Sequence, residues 1–424
     1  MNANHPDSTA VSSLLPPMEK DGCNAPFIAR HREDDVRRLA LSRAPEGVDL
    51  KWCLQQIEGW QLARRKLPRW AATEGLWFPV RLSMEQCSSE PTARYKRTVI
   101  GRMLPEEERT CMTDLTGGLG VDFSYMAPLF REAQYFEVQP QLLELARHNM
   151  PLLVPPATQL AFHLVPPESR PSLSSQTLIF LDPARRDAAG RKTVDISDCT
   201  PNLLDLQDTL LAQTQWLMVK LSPMLDLRQA LRQLRGVREV HVVSVGGECK
   251  ELLFVMSAKE GANDPHPTIH CVNLDTDDDD LIVSNPHLPS PAPNLLPLTS
   301  YPLPPTSYLY EPNASVLKAG VQDVLCERYP VTKLHPQSHL FMGDSFLPHF
   351  PGRRFRITGW SDFSKRNLKA LIGDLRQANL TVRNFPTPVA TLRRQLRLAE
   401  GGDVYLFATT QQDGRHILIR CERT

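Results

Sequence analysis

The sequence predicts an α/β fold, in which helices cover a mainly parallel sheet, with a helical region before this sheet and a small α+β module after it. Three observations lead to this prediction. Between residues 110 and 258, short apolar runs alternate with amphipathic segments, a pattern typical of a parallel sheet covered on both faces. Before residue 100 the apolar residues recur at helical spacing. A proline-rich stretch then separates the last part of the chain from the rest.

Seven apolar runs are predicted to be the strands of the sheet. In chain order they are CMTDLTGG, QYFEVQP, LAFHLV, TLIFLDP, QWLMVKLSP, REVHVVSV and ELLFVMSA. Segments between several of them, such as QLLELARHNM and LLDLQDTLLAQ, have the periodicity of amphipathic helices. The last two strands are separated only by GGECKE, which is too short for a helical crossover. We therefore expect these two strands to form an antiparallel pair.

Domain boundaries follow from proline and from changes in periodicity. Eight of the 37 prolines fall between Pro286 and Pro305, and proline both fixes φ and lacks an N–H donor, so this stretch reads as a linker. The predicted organisation has six parts. These are a disordered leader (1–27), an N-terminal helical domain (28–100), the sheet domain (101–260), an acidic and proline-rich linker (261–305), a small connecting α+β region (306–350) and a C-terminal α+β module (351–424).

Composition excludes several classes of protein. The 424 residues contain 48 Lys+Arg and 48 Asp+Glu, which argues against a uniformly basic nucleic-acid coat. The nine cysteines include no C-x-x-C pair, and Pro336 interrupts the pair His335 and His339, so we expect no structural metal. No apolar run approaches the roughly 20 residues of a membrane span, and the polar N-terminus does not resemble a signal peptide. The chain is predicted to be a soluble, cytoplasmic, multidomain protein with no membrane partner.

A glycine-rich loop, Asp114-Leu-Thr-Gly-Gly-Leu-Gly120, lies between a predicted strand and a predicted helix. Glycines allow a ligand to approach the backbone closely, and the helix N-terminus offers free N–H donors. The motif G-x-G-x-x-G is incomplete because Phe123 occupies its third glycine position, which argues against a dinucleotide fold. Glu137 ends the next strand, where the ribose of a nucleoside ligand would lie. The alternative is a tight turn that binds no ligand.

Three segments, DLTGGLGVD, YFEVQPQLLELARHNM and LIFLDPARRD, resemble motifs I, II and IV of class I S-adenosylmethionine-dependent methyltransferases. The order of the strands also resembles the Rossmann-like, seven-stranded core of that family. More narrowly, RRKLPRW, ECKELL, YLYEPNASVLKAG, KLHPQSHLF and VRNFPTPVATLRRQLRLAEGGDVYLFATT resemble bacterial methyltransferase-like proteins with a THUMP-like C-terminal domain. The resemblance covers most of residues 28–424. It implies S-adenosylmethionine as the cofactor of the 101–260 domain and RNA binding by the 351–424 module.

The resemblance also implies roles for individual residues. Asp114 would orient the loop and the amino-acid end of the cofactor, and Glu137 would contact the ribose. The residues expected to line the methionine end are Thr116, Gly117, Gly118 and Gly120.

The fourth motif, DPARRD, should decide the chemistry. Methyltransferases that act on amines usually have D/N-P-P followed by an aromatic residue that stacks on the base. Here Asp182, presented by a turn at Pro183, can accept a hydrogen bond from the substrate and is the predicted catalytic residue. Arg185 and Arg186 replace the aromatic residue, and guanidinium groups stack on bases and pair with phosphates. The alternative is that these two arginines form salt bridges with nearby acidic residues.

Two further residues are candidates near this motif. The pattern D-P-x-R also occurs in carbon-5 uridine methyltransferases, which need a cysteine nucleophile, and Cys199 is the nearest cysteine downstream. It does not lie in the expected loop sequence. Lys220 ends the fifth predicted strand and is a minor candidate for a substrate contact.

The C-terminal module is locally basic. Between residues 351 and 400 there are 11 Lys+Arg and 3 Asp+Glu, with aromatic residues interleaved. Such surfaces suit RNA, and Arg393, Arg394 and Arg397 are the predicted contacts. A second basic cluster, formed by Arg64, Arg65, Lys66 and Arg69 at the end of the N-terminal helix, could extend this surface. The alternative is a solvated helix face with a purely structural role.

The sequence therefore leads to an S-adenosylmethionine-dependent methyltransferase that acts on RNA. Two alternatives stay open: a non-catalytic RNA-binding protein that keeps the methyltransferase fold, and a methyltransferase for a protein or a small molecule. The sequence does not determine the oligomeric state.

Overall fold

The structure is a computed structural model that describes residues 22–165, 176–184, 195–258, 267–276, 279–284, 307–373 and 375–424. The chain divides into two compact units. The first comprises Met1–Val237 and Leu253–Asn263, and the second comprises Arg238–Leu252 and Asp264–Thr424. In the part of the chain that is described, no helix is both long and apolar enough to span a membrane.

The first unit contains ten helices within the described ranges. They are α1 (Asn24–His31), α2 (Val36–Ala40), α3 (Leu50–Lys66), α4 (Pro68–Ala72), α5 (Arg81–Gln86), α6 (Glu90–Met103), α7 (Val121–Met126), α8 (Pro140–Leu153), α9 (Leu203–Gln213) and α10 (Leu227–Gln233). Side-chain caps fix several helix starts. The carboxylate of Asp49 accepts the N–H of Trp52 at the start of α3, and Asp226 accepts the N–H of Gln229 at the start of α10.

Five neighbouring parallel strands of the first unit belong to one sheet. They are β1 (Cys111–Asp114), β2 (Glu132–Glu137), β3 (Gln159–Leu164), β4 (Gln176–Leu181) and β5 (Thr214–Leu221), in the order β3-β2-β1-β4-β5. All six residues of β4 are buried, as expected for a central strand covered on both faces. Each of these strands overlaps one of the predicted apolar runs. Their carboxyl ends meet at one edge, where ligands bind in open α/β sheets.

The N-terminal helices share a core with this sheet. Buried residues from α3, α4 and α6 belong to the same apolar cluster as residues of β1, β2 and α8. Polar contacts join the same elements: the Asn149 amide accepts the N–H of Trp77 at 2.9 Å and donates to its carbonyl at 2.8 Å. The Trp77 ring also stacks on His148 at 3.5 Å. The predicted helical region therefore packs as part of the first unit.

Four described strands follow the parallel strands in the chain, and they belong to the second unit except for Val237 and Leu253–Met256. Strand β6 (Val237–Val245) is joined to β7 (Glu248–Met256) by the turn Gly246-Gly247, and these neighbouring strands form the predicted antiparallel pair. Strand β8 (Thr268–Asn273) runs parallel to β6, and β9 (Leu281–Val283) runs antiparallel to β8.

Strands β8 and β9 correct the prediction of a continuous linker over residues 261–305. The segment TIHCVN in β8 is rich in β-branched residues, and five of its six residues are buried. Its burial outweighs the polar and proline-rich composition on either side. The remainder of the predicted linker lies largely outside the described residues.

The rest of the second unit, within the described residues, is a seven-stranded sheet with short helices. Its strands are β10 (Tyr308–Pro312), β11 (Thr332–Lys333), β12 (Phe341–Gly343), β13 (Gly352–Asp362), β14 (Asn379–Arg383), β15 (Val404–Thr410) and β16 (His416–Arg423), in the order β11-β12-β10-β13-β16-β15-β14. Its helices are α11 (Ala314–Ala319), α12 (Leu325–Arg328), α13 (Lys365–Ile372) and α14 (Val389–Leu396). Helices α13 and α14 share one apolar cluster with β14, β15 and β16. The predicted hairpin is formed by β15 and β16.

Candidate functional site

The glycine-rich loop follows β1 at the carboxyl edge of the first sheet. Gly118 and Gly120 have φ angles of +59° and +83°, a region that side chains disfavour. Gly117 is required for a different reason, because a Cβ there would lie 2.2 Å from the ring of Tyr135. The Tyr135 hydroxyl donates to the carbonyl oxygen of Gly118 at 2.6 Å. The loop is therefore held in one shape by its own packing.

Asp114 is buried where β1 enters this loop. Its carboxylate accepts the N–H of Thr116 at 2.9 Å, which closes a tight turn. Burial raises the pKa of Asp114 to about 8, because the hydrogen bond from Thr116 only partly offsets lost hydration and the carboxylates of Asp122 and Asp182 oppose ionisation. A cationic group beside Asp114 would favour its ionised form.

Glu137 ends β2 next to the loop. One carboxylate oxygen accepts the N–H of Gly118 at 2.6 Å, and the other accepts those of Val138 and Gln139 at 2.9 and 2.8 Å. Burial raises the pKa of Glu137, although these three N–H groups favour the carboxylate. The contact with Gly118 brings the two predicted cofactor-binding segments together.

Asp182 follows β4 and stands beside the same loop. Its backbone N–H donates to the Thr116 hydroxyl at 2.6 Å, so the fourth motif and the glycine loop are directly bonded. The Asp182 side chain is 37% exposed, and Pro183 is buried. Ala184 forms an antiparallel bridge with Thr200. Arg185 and Arg186 lie outside the described residues, so their predicted roles stay predictions.

A row of buried charges extends from Asp182 into the helices. The ammonium of Lys220, at the end of β5, forms an ion pair with Asp182 and lies 3.8 Å from Asp122. Asp122 also pairs with the fully buried Lys96 at 3.1 Å and accepts the Ser88 hydroxyl at 2.6 Å. Burial opposes ionisation of Asp122, but the two ammonium groups outweigh it and the pKa of this carboxyl lies below its ordinary value.

Sequence reasoning missed Ser88, Lys96 and Asp122. One signal was present for Lys96, since it occupies a position of α6 that shares helical spacing with the buried residues Ala93 and Val99. A lysine on the apolar side of a helix suggests a buried partner. Nothing local identified that partner, because Asp122 lies in α7, beyond β1.

The predicted RNA contacts in the C-terminal module differ in their surroundings. The Arg393 guanidinium donates to the carbonyl oxygens of Ala378 and Ala399 at 3.0 and 3.2 Å, so it stabilises the module itself. Arg394 and Arg397 are exposed near the end of α14. In the N-terminal cluster, Arg64 pairs with Glu33 at 3.0 Å.

Helix α13 has a basic surface that sequence analysis did not single out. Lys365, Arg366 and Lys369 are exposed, and among the residues described by the structure none of the three has an ion pair. Leu368 and Leu371 anchor the opposite side of the helix in the apolar cluster. This helix therefore presents three positive charges to solvent.

His335 and His339, the two histidines four residues apart, lie in different surroundings. His335 Nδ1 accepts the N–H of Gln337 at 3.0 Å and lies 2.9 Å from the Asn384 amide nitrogen. His339 is half-buried, and burial lowers its pKa. Cys199, the alternative nucleophile, is also buried.

Two family models match segments of the second unit, and longer parts of the chain are similar to known proteins. The THUMP domain-like family matches residues 352–423, and a ferredoxin-like domain family matches residues 308–351. The crystal structure of a candidate methyltransferase from Porphyromonas gingivalis W83 is 32% identical, with a TM-score of 0.81, and the match covers 95% of this chain and 97% of that one. An uncharacterized S-adenosylmethionine-dependent methyltransferase of Mycobacterium tuberculosis, in strains H37Rv and CDC 1551, is 23% identical over 76% of this chain and 81% of its own length.

Proposed function

The chain belongs to the class I S-adenosylmethionine-dependent methyltransferases with a THUMP-like C-terminal domain, and we propose that it transfers the methyl group to RNA. One observation carries the proposal. The carboxylate of Asp182 is partly exposed beside the glycine loop, to which its backbone is bonded through Thr116. An acceptor held by Asp182 would therefore lie next to a cofactor held by the loop.

The residues around the loop fit this cofactor. A Cβ on Gly118 would have the carbonyl oxygen of Thr116, at 3.7 Å, as its nearest neighbour, so the backbone there faces open space. Glu137 offers carboxylate oxygens suited to ribose hydroxyls, and Asp114 would be stabilised as a carboxylate by a cationic amino group. The bound cofactor supplies a methyl group on a positively charged sulfur. The chain's own residues bind and orient this group.

Few side chains need to react chemically in such a transfer. Holding the acceptor in line with the methyl group accounts for much of the rate, because it replaces a bimolecular encounter with an oriented one. Asp182 is the proposed catalytic residue because its carboxylate lies beside the loop and is partly exposed, so a substrate can reach it. Arg185 and Arg186 follow it in sequence and are proposed to contact the substrate.

RNA is the proposed substrate because of the second unit. Its THUMP domain-like region carries the exposed cations of α13 together with Arg394 and Arg397. Surface cations bind the phosphate backbone and release counterions. Arg393 is left out of this proposed surface because its guanidinium binds backbone carbonyls.

The proposal is tested by methyl transfer in vitro. Purified protein is incubated with S-adenosylmethionine labelled in its methyl group, and with RNA or protein extracted from cells that lack the gene. We expect label in an RNA fraction, and less label in RNA from cells that retain the gene, since its sites are already methylated. Label in protein alone would contradict the RNA proposal. Cofactor binding without any transfer would favour the non-catalytic alternative.

A further inference from the structure

We propose that the methyl acceptor is a ribose 2′-hydroxyl, activated between Asp182 and Lys220, rather than a nitrogen of a base. This inference rests on the proposed function and specifies its acceptor atom. It follows from the position of Lys220, which lies close to two carboxylates: it forms an ion pair with Asp182 and lies 3.8 Å from Asp122.

The protein's own Ser88 already shows how a hydroxyl fits between these charges. Its Oγ donates to the Asp122 carboxylate at 2.6 Å and accepts from the Lys220 ammonium at 3.1 Å. A hydroxyl can make both contacts at once because it carries one donor and two acceptor lone pairs. Ser88 and Asp122 are buried, so a substrate cannot replace this arrangement.

Asp182 can offer a hydroxyl the same pair of contacts with Lys220 at a more accessible carboxylate. Its side chain is 37% exposed, whereas that of Asp122 is 9% exposed. A substrate hydroxyl that donates to Asp182 would place its oxygen beside the Lys220 ammonium, as Ser88 does on the buried side. The lysine charge would then stabilise the negative charge that develops on the oxygen during transfer.

The surroundings of Asp182 are less suited to a base amine. The aromatic residue that usually stacks on the base in amine-directed enzymes is absent from DPARRD. Ala184, in the place of the second proline of that motif, is bonded through its backbone to Thr200, at 2.8 and 3.0 Å. When an exocyclic amine attacks a methyl group, no negative charge develops on an oxygen. The Lys220 ammonium would therefore have no charge to stabilise in that reaction.

The proposed step is a direct displacement at the methyl carbon. The acceptor oxygen forms a bond to the methyl carbon, and the bond between that carbon and sulfur breaks, with its electron pair remaining on sulfur. The hydroxyl proton passes to the Asp182 carboxylate as the oxygen attacks. The products are a ribose methyl ether and S-adenosylhomocysteine.

The chemical identity of the product tests this inference. RNA methylated in vitro with labelled cofactor is digested to nucleosides and analysed by mass spectrometry, and a second portion is hydrolysed in alkali. We expect the label on ribose, and in alkali-resistant dinucleotides, because cleavage needs a free 2′-hydroxyl. Label on a base would overturn the inference and leave the proposed RNA methyltransferase function intact. Label in no RNA would overturn both.

Variants of Lys220 test its role separately. We expect Lys220→Met to lower kcat about 100-fold or more, and Lys220→Arg, which keeps the charge, to recover activity to within about 10-fold of wild type. Asp182→Asn should also lower kcat about 100-fold or more. Calorimetric affinity for S-adenosylhomocysteine should stay within about 2-fold of wild type in all three variants, which verifies folding.

The matched control is Lys51→Met, an exposed site on α3, which should leave kcat unchanged. Wild-type kcat in Lys220→Met would overturn the inference.

Discussion

Gly117 and Gly118 are adjacent in the loop after β1, yet glycine is needed at each for a different reason. At Gly117 the space is filled by the Tyr135 ring, 2.2 Å from where a Cβ would lie. At Gly118 the space is open, and the constraint is the φ of +59°. Substitutions at the two positions should therefore separate folding from cofactor binding.

We expect Gly117→Ala to lower the free energy of unfolding by about 1–3 kcal/mol, because the methyl group must displace the Tyr135 ring. Gly118→Ala should cost only about 1–2 kcal/mol, from its left-handed backbone. In contrast, Gly118→Ala should weaken binding of S-adenosylhomocysteine, because its methyl group would occupy the space proposed for the cofactor. Chemical denaturation and calorimetry measure the two effects. Unchanged affinity in Gly118→Ala would contradict the proposed cofactor position.

Asp114 predicts a pH dependence of stability. Burial raises its pKa from the ordinary 3.8 to about 8, so between these values the folded chain holds a proton that the unfolded chain releases. Stability therefore falls as pH rises through this window. Asp114→Asn keeps the acceptor for the N–H of Thr116 but cannot titrate. From pH 5 to pH 8, wild type should lose more than about 1 kcal/mol of unfolding free energy relative to the variant. Equal losses would show that Asp114 is ionised in the folded state.

At the scale of elements, the sheet of the first unit was predictable because each strand is a short apolar run followed by a turn or helix. The order of these runs also predicted that Asp114, Glu137 and Asp182 lie at one edge, since parallel strands end together. The buried charges were not predictable in this way. Ser88 and Lys220 are 132 residues apart, and their contact depends on how the helices pack against the sheet.

The bonds between Asn149 and the backbone of Trp77 join α8 to the segment that follows the N-terminal helices. Asn149 in α8 is buried and bonds both backbone groups of Trp77, so its loss leaves two partly buried polar groups without this partner. We expect Asn149→Ala to lower the free energy of unfolding by about 2–4 kcal/mol. The control is Glu144→Ala, an exposed position on the same helix, which should change stability by less than about 0.5 kcal/mol. Equal effects in urea denaturation would mean that this contact does not join the elements.

For the whole molecule, sequence alone separated a sheet domain from a basic C-terminal module, but it misjudged the connection between them. Strands β8 and β9 lie within the predicted linker, where acidic residues and prolines obscured two short apolar segments. The sequence shows how many basic residues the module has. Only the fold distinguishes cations that are exposed from those that form ion pairs. Arg353 and Arg383 both bind the buried Glu311, whereas the cations of α13 face solvent.

This distinction leads to a prediction about RNA binding by the intact chain. Each cation that contacts a phosphate steepens the fall of log K with log salt concentration by about 0.7–0.9. If α13 binds RNA, replacing Lys365, Arg366 and Lys369 with alanine should reduce that slope by about 2. The control replaces three arginines exposed in the N-terminal region, which removes the same charge; these are Arg37, Arg38 and Arg43.

Filter binding or fluorescence anisotropy from low to high salt measures the slope for each protein. The α13 variant should retain wild-type affinity for S-adenosylhomocysteine, because its three substitutions lie in the second unit and the proposed cofactor site lies in the first. The N-terminal control should keep the wild-type slope. An equal loss of slope in both variants would indicate attraction by total charge rather than contact with α13. If neither variant changes the slope, RNA binding must depend on other residues, and Arg394 and Arg397 would be replaced next in the same assay.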